Sequence, residues 1–72
     1  MNNLKSKFGT RLKKLRIAIG FTQEELAEKC GVSVEYISSL ERGLYSPSFE
    51  TIEKLSKAIQ VSPKALFDFD NS

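Results

Sequence analysis

Residues 22–43 constrain the fold more than any other part of the chain, because two short helical patterns meet there at one glycine. Thr22 and Glu25 have the spacing of a capping box, in which each side chain binds a backbone N–H of the first helical turn. Apolar side chains then follow at helical spacing, at Leu26, Ala27 and Cys30. Gly31 stands where a helix often ends in a left-handed residue. The pattern predicts a short helix over about Gln23 to Cys30.

A second helix is predicted directly after this turn. Val32 is expected to pack between the two helices, Ser33 can cap the second one, and Gly43 ends it. Ile37 and Leu40 supply its buried stripe. The remaining side chains are therefore predicted to face outward, namely Val34, Glu35, Tyr36, Ser38, Ser39 and Arg42. Two helices joined in this way form a helix-turn-helix, and an exposed second helix of this size fits the major groove of DNA.

The rest of the chain also has helical periodicity and no strand alternation. Apolar residues repeat at steps of three and four between Leu4 and Ile19, which predicts helix 1. Helix 3 should run from about Val34 to Arg42, and Ser48 should cap a fourth helix with the stripe Ile52, Leu55 and Ile59. Ser62 before Pro63 predicts a short fifth helix over about Pro63 to Phe67. The expected fold is all-α with five helices, and residues 1–3 and 69–72 are expected to be flexible tails.

The chain resembles the Xre family of prokaryotic regulators, which includes phage repressors of the lambda and Cro type. The resemblance extends beyond residues 22–43 and covers roughly residues 7 to 68 in order. Its residues are Leu12, Leu15 and Arg16 in helix 1; Pro47, Ser48, Thr51, Leu55, Ala58 and Ile59 in helix 4; and Val61, Ser62, Pro63, Leu66 and Phe67 in helix 5. The resemblance implies a compact lambda-repressor-like DNA-binding domain that regulates transcription. In size the chain is also similar to the controller proteins of restriction–modification systems.

Composition limits the alternatives. Seventy-two residues suffice for a single domain over residues 1–72, without a membrane span or signal-peptide pattern. The chain has one cysteine and no histidine, so we expect no metal site, no cofactor and no catalytic residues. Cys30 is expected to act as a small buried apolar residue. We expect a cytoplasmic protein that is not an enzyme.

Charge is distributed unevenly along the chain. Residues 1–20 carry six basic side chains and no acid, whereas the remainder carries nine acids and five bases. The basic face of helix 1 is either an ordinary solvated face or a surface that attracts the phosphate backbone. The sequence alone leaves both readings open.

Candidate DNA contacts follow from position on the two helices. Gln23 and Ser33 lie at helix N-termini, where free N–H groups and the helix dipole favour a phosphate. Arg42 and Tyr45, at the far end of helix 3 and in the loop, can also reach the backbone. Base reading is expected from the first turns of helix 3, at Val34, Glu35, Ser38 and Ser39, with Tyr36 beside them. For Gln23 the alternative is an ordinary exposed polar residue.

The base-reading positions lack the side chains that form two hydrogen bonds with one base. No Arg, Gln or Asn stands at positions 34, 35, 38 or 39, so bidentate recognition of guanine or adenine from them is excluded. Glu35 can accept from the cytosine amino group, or can instead stabilise the helix N-terminus. We expect more dependence on DNA shape. The family resemblance further implies that Arg16 and Glu41 form a structural pair.

A single recognition helix reads about half a site, which favours a homodimer on two-fold symmetric double-stranded DNA. The candidate interface is Leu66, Phe67 and Phe69, although Phe67 can instead close the core. No small-molecule ligand is expected. The competing hypothesis is a protein-interaction module, or an antitoxin-like partner, that keeps the fold without binding DNA.

Overall fold

Four α-helices follow the start signals of the sequence. A computed structural model describes residues 3–71, in which α1 is Leu4–Ala18, α2 is Gln23–Cys30, α3 is Val34–Glu41 and α4 is Phe49–Ala58. Two 3₁₀ helices, Pro63–Phe67 and Phe69–Asn71, complete the described chain, and that part contains no strand. None of the helices within residues 3–71 has the length and apolar character needed to cross a membrane.

Each α-helix begins at a polar side chain that caps it. The Thr22 hydroxyl accepts from the Glu25 N–H (3.0 Å) and the Glu25 carboxylate accepts from the Thr22 N–H (2.8 Å), so the predicted capping box is confirmed. Ser33 and Ser48 cap α3 and α4 in the same way, and Asn3 caps α1. Gly31 ends α2 with a φ of 69°, the left-handed conformation that glycine adopts without steric cost.

The core lies where α1, α2, α3 and α4 face one another. Its fully buried side chains include Phe8 and Leu12 of α1, Leu26 of α2, Leu40 of α3 and Leu55 of α4. Gly9 allows α1 to approach the end of α3 closely, because a Cβ at this position would lie 2.3 Å from the Leu40 carbonyl oxygen. The approach fixes α1 against the same helix that was predicted to face DNA.

The end of the chain differs from the prediction. The expected fifth α-helix is a 3₁₀ helix over Pro63–Phe67, and it packs against α1 and α4. Leu66 is fully buried there, so its expected place in a dimer interface is wrong. In a 3₁₀ helix of about three residues per turn, Leu66 fills the core while the neighbouring Phe67 remains 39% exposed.

The expected tails are partly included in the folded body. Asn3 accepts a hydrogen bond from the Ser6 N–H (2.9 Å), and the Phe69 ring lies edge-on to Phe67 with centroids 6.2 Å apart. The expected tails also include Met1, Asn2 and Ser72, which lie outside the described residues.

Candidate nucleic-acid interface

One face of α3 carries exposed and half-buried side chains from the N-terminus of the helix to its C-terminal cap. Glu35, Ser38 and Arg42 follow at steps of three and four and therefore lie on this face. Glu35 and Arg42 are exposed, and Ser38 and Val34 are half-buried. Ser33, also exposed, stands at the N-terminus of the helix, where its hydroxyl accepts from the Tyr36 N–H (3.1 Å). We refer to residues 33, 34, 35, 38 and 42 as the α3 face.

Ser39 is not part of the α3 face. It was predicted to face outward and read bases, but it is only 9% exposed. The chain turns back on itself after α3, and the Leu44 N–H donates to the Ser39 carbonyl oxygen (2.9 Å). The reversal places the following loop beside the last turn of the helix, so the base-reading assignment of Ser39 is wrong.

Tyr36 and Tyr45 form an aromatic pair at the side of α3. Their rings are stacked with centroids 6.3 Å apart and an interplanar angle of 28°. The Tyr36 Oη atom lies 3.4 Å from Thr51 Oγ1 of α4, and the Ser48 hydroxyl donates to that same Thr51 oxygen (3.0 Å). Tyr36 is half-buried and Tyr45 is 55% exposed, so the pair extends the α3 face toward the loop.

A buried ion pair holds the end of α3 against the end of α1. Arg16 donates from Nε to Glu41 Oε2 (2.6 Å) and from Nη2 to Glu41 Oε1 (3.0 Å), and its Nη1 donates to the Phe21 carbonyl (2.7 Å). The structure therefore contains the pair that the family resemblance implied. The hydrogen bond with Glu41 raises the pKa of Arg16 above its ordinary value, although burial opposes the shift.

Gln23 belongs to the same network. Its Nε2 atom donates to Glu41 Oε1 (3.0 Å), which joins the first turn of α2 to the end of α3. Gln23 was predicted to contact a phosphate, and this bond to Glu41 was not predicted. Because the side-chain amide carries two N–H donors, one remains beyond the bond to Glu41. The network therefore links the two helices of the motif through their side chains.

Basic side chains of α1 fall into two groups. Arg11 and Arg16 are directed into the protein, where the Arg11 Nε atom donates to the Ala65 carbonyl (2.9 Å) and Arg16 pairs with Glu41. The lysines of this helix are exposed, at Lys5, Lys7, Lys13 and Lys14. The exposed cationic surface of α1 is therefore formed by lysines.

An apolar surface that was not predicted from the sequence lies between the first turns of α1 and α4. Phe49, in the first turn of α4, is 88% exposed, and it stands beside a cleft of about 210 Å³. The cleft is lined by Leu4, Lys5, Phe8, Ser46, Pro47, Phe49, Ile52 and Phe67. No signal in the sequence indicates this exposure, because Phe49 lies three residues before Ile52 and therefore shares the side of the buried stripe. We name Leu4, Pro47, Phe49 and Phe67 the Phe49 surface.

Comparison with known proteins identifies the class. The helix-turn-helix family model of the Xre/Cro–C1 type matches residues 12–66, and the chain belongs to this family. Among its relatives is the control protein C.BamHI of Bacillus amyloliquefaciens, which is 42% identical over 69 residues that cover 94% of this chain and 85% of the relative.

Solved structures of restriction–modification controller proteins share the fold. C.AhdI from Aeromonas hydrophila is 42% identical and superposes with a TM-score of 0.84, over 86% of this chain and 94% of that protein. C.Esp1396I bound to a 25 base pair operator site is 34% identical, with a TM-score of 0.81 over 94% of this chain and 90% of that protein. The family consists of DNA-binding regulators rather than enzymes.

Proposed function

We propose that this chain is a sequence-specific DNA-binding regulator of transcription, a repressor or autoregulatory controller that binds a two-fold symmetric operator as a homodimer. The observation that carries the proposal is the α3 face. Its residues Glu35 and Arg42 are exposed, while the buried pair of Arg16 and Glu41 holds the end of the same helix against α1. The operator-bound structure of C.Esp1396I, a relative with the same fold, supports it. A regulator with DNA as its partner acts in the cytoplasm of a prokaryotic cell.

The geometry supports base contacts for some of these residues and phosphate contacts for others. Glu35 and Ser38 lie in the first turns of α3 and face solvent, so they are placed to meet base edges. Arg42 at the end of α3 and Tyr45 in the loop are placed to meet phosphates. Ser33 and Gln23 stand at helix N-termini, where anions bind. Val34 completes the surface as an apolar contact for a thymine methyl group.

We place the homodimer contact at the Phe49 surface. A two-fold interface must be self-complementary, and here a protruding phenylalanine stands beside an apolar cleft on one surface. In a symmetric pair each Phe49 can enter the cleft of the other copy. Phe67 lines this cleft, and the predicted interface residue Phe69 packs against Phe67.

Sedimentation velocity tests the dimer. Replacing Phe49 with Lys should give monomers, because the interface would have to bury an unpaired charge. Ile17→Lys is the matched control, since Ile17 is 56% exposed and lies toward the other end of α1. A Phe49→Lys protein that sediments as a dimer would contradict this interface, whereas monomers from both variants would show a general effect of added charge.

DNA binding is tested with a duplex that the protein selects from a random pool. Fluorescence anisotropy should show that log K falls linearly with log salt, with a slope of about −0.9 for each phosphate neutralised. Arg42→Ala should lower affinity for all sequences and reduce this slope. Glu35→Ala should instead relax the preference at one base pair. The absence of salt-dependent binding to any duplex would favour the competing role as a protein-interaction module.

A further inference from the structure

Two exposed side chains of opposite charge flank the Phe49 surface. Lys5, in the first turn of α1, brings a positive charge to the lining of the cleft. Glu53 is exposed on α4, four residues after Phe49, so it lies beside the protruding ring on that helix. Neither Lys5 nor Glu53 forms an ion pair within the described residues 3–71. Both charges are therefore available to a partner outside the chain.

The two charges lie at opposite ends of the surface. Ile52 lines the cleft, whereas Glu53 does not. With 3.6 residues per turn, Ile52 and Glu53 are displaced from Phe49 in opposite directions around the axis of α4, by about 60° and about 40°. The order across the surface is therefore Glu53, then Phe49, then the cleft, and last Lys5 on the wall that α1 forms.

A two-fold axis reverses this order in the second copy. In the proposed homodimer each Phe49 enters the cleft of the other copy, so the axis passes between Phe49 and the cleft. A two-fold contact pairs a first residue with a second and the second with the first. Glu53 of each copy consequently faces Lys5 of the other, and the contact occurs twice.

We propose that Lys5 and Glu53 form ion pairs between the two copies and thereby select a second copy of this chain as the partner of the Phe49 surface. This inference rests on the proposed function. The apolar contact of Phe49 with the cleft would accept any chain with a similar aromatic side chain, so it discriminates little. Like charges placed opposite each other repel, and such repulsion excludes wrong partners even where an exposed ion pair adds little affinity.

The wall that carries Lys5 is held in place before the second copy arrives. The ring centroid of Phe67, in the lining of the cleft, lies 5.3 Å from that of Phe8 and 6.2 Å from that of Phe69. Phe8 is only 1% exposed, so these rings join the wall to the core. A surface that is ordered in advance loses little freedom on association, and it presents its charges at fixed places.

Native mass spectrometry of mixed variants tests the pairing. A ¹⁵N-labelled Lys5→Glu chain is mixed with an unlabelled Glu53→Lys chain, so that the mixed dimer differs in mass from both homodimers. Each homodimer has two like-charged contacts and should be weaker than the wild-type dimer by about ten-fold. Both contacts of the mixed dimer join a glutamate to a lysine. It should therefore hold about nine-tenths of the dimeric protein, against about half for random pairing.

A matched control separates the proposed contact from a general effect of charge. Glu28, an exposed residue of α2, does not line the cleft, and Glu28→Lys changes the net charge by the same amount as Glu53→Lys. Mixed with the Lys5→Glu chain, it should give about half mixed dimers, because effects at independent sites add. A chain that carries both Lys5→Glu and Glu53→Lys should dimerise like the wild type but avoid the wild-type chain.

The outcomes distinguish this inference from the proposed dimer. Random pairing of Lys5→Glu with Glu53→Lys, or equal enrichment of the mixed dimer with Glu28→Lys, would overturn the inference. If Phe49→Lys is monomeric in the same series, the proposed interface still stands. A Phe49→Lys protein that remains dimeric, or a wild type that is monomeric, would overturn the interface and this inference with it.

Discussion

Truncating Glu41 should destabilise the protein severely. The Glu41 carboxylate accepts two hydrogen bonds from Arg16 and one from Gln23, and both charged residues are less than a tenth exposed. Glu41→Ala leaves the Arg16 guanidinium buried without its counter-charge, which costs about 3–5 kcal/mol. A chain of this length is stabilised by about 4–11 kcal/mol in total. The variant should therefore lose at least a quarter of its free energy of unfolding.

Urea unfolding followed by far-UV circular dichroism measures this loss. The protein concentration must be held constant, because association with a second copy would add to the apparent stability. The double variant Arg16→Met with Glu41→Leu is the informative control, since replacing a buried pair with apolar residues is often neutral. It should be more stable than Glu41→Ala alone. A cost below about 1 kcal/mol for Glu41→Ala would refute the reasoning, because that is the value of an exposed ion pair.

Four further predictions concern stability and reactivity. Gly9→Ala should destabilise the fold by about 1–3 kcal/mol in thermal melts, because the new Cβ would meet the Leu40 carbonyl at 2.3 Å; an increase in stability would contradict this close approach. Gln60→Gly should raise the free energy of unfolding by about 1 kcal/mol, because Gln60 has a φ of 61°; no gain would mean that the left-handed conformation is not strained. Burial raises the pKa of the Cys30 thiol, so Ellman's reagent should react far more slowly with the folded chain than in urea. Because the pKa is higher in the folded state, the free energy of unfolding should fall as pH rises above about 8.5, and constant stability through that range would contradict the shift.

Local signals in the sequence predicted the helix starts well. The caps at Thr22, Ser33, Ser48 and Ser62 are formed by contacts over three residues, so the sequence next to each helix determines them. Gly31 predicted the turn of the motif for the same reason. The family resemblance, rather than spacing, pointed to the pair of Arg16 and Glu41, which are 25 residues apart.

The errors concern which surfaces the folded chain covers. Ser38 and Ser39 are neighbours with the same side chain, and the sequence does not reveal which of the two is buried in the folded chain. Leu66 and Phe67 are adjacent apolar residues on different sides of a short helix, and the sequence does not reveal which of them packs against α1 and α4. The exposure of Phe49 could not be predicted, because its spacing to Ile52 is that of the buried stripe. Exposure of this kind depends on the global packing of the helices.

Nuclear magnetic resonance of the ¹⁵N-labelled chain, titrated with its selected duplex, tests the central claim that α3 is the element that enters the groove. The amides of residues 33–42 and of Gln23 should show the largest chemical-shift changes of the chain. Changes centred on another surface, with the α3 amides unaffected at saturating DNA, would contradict the account.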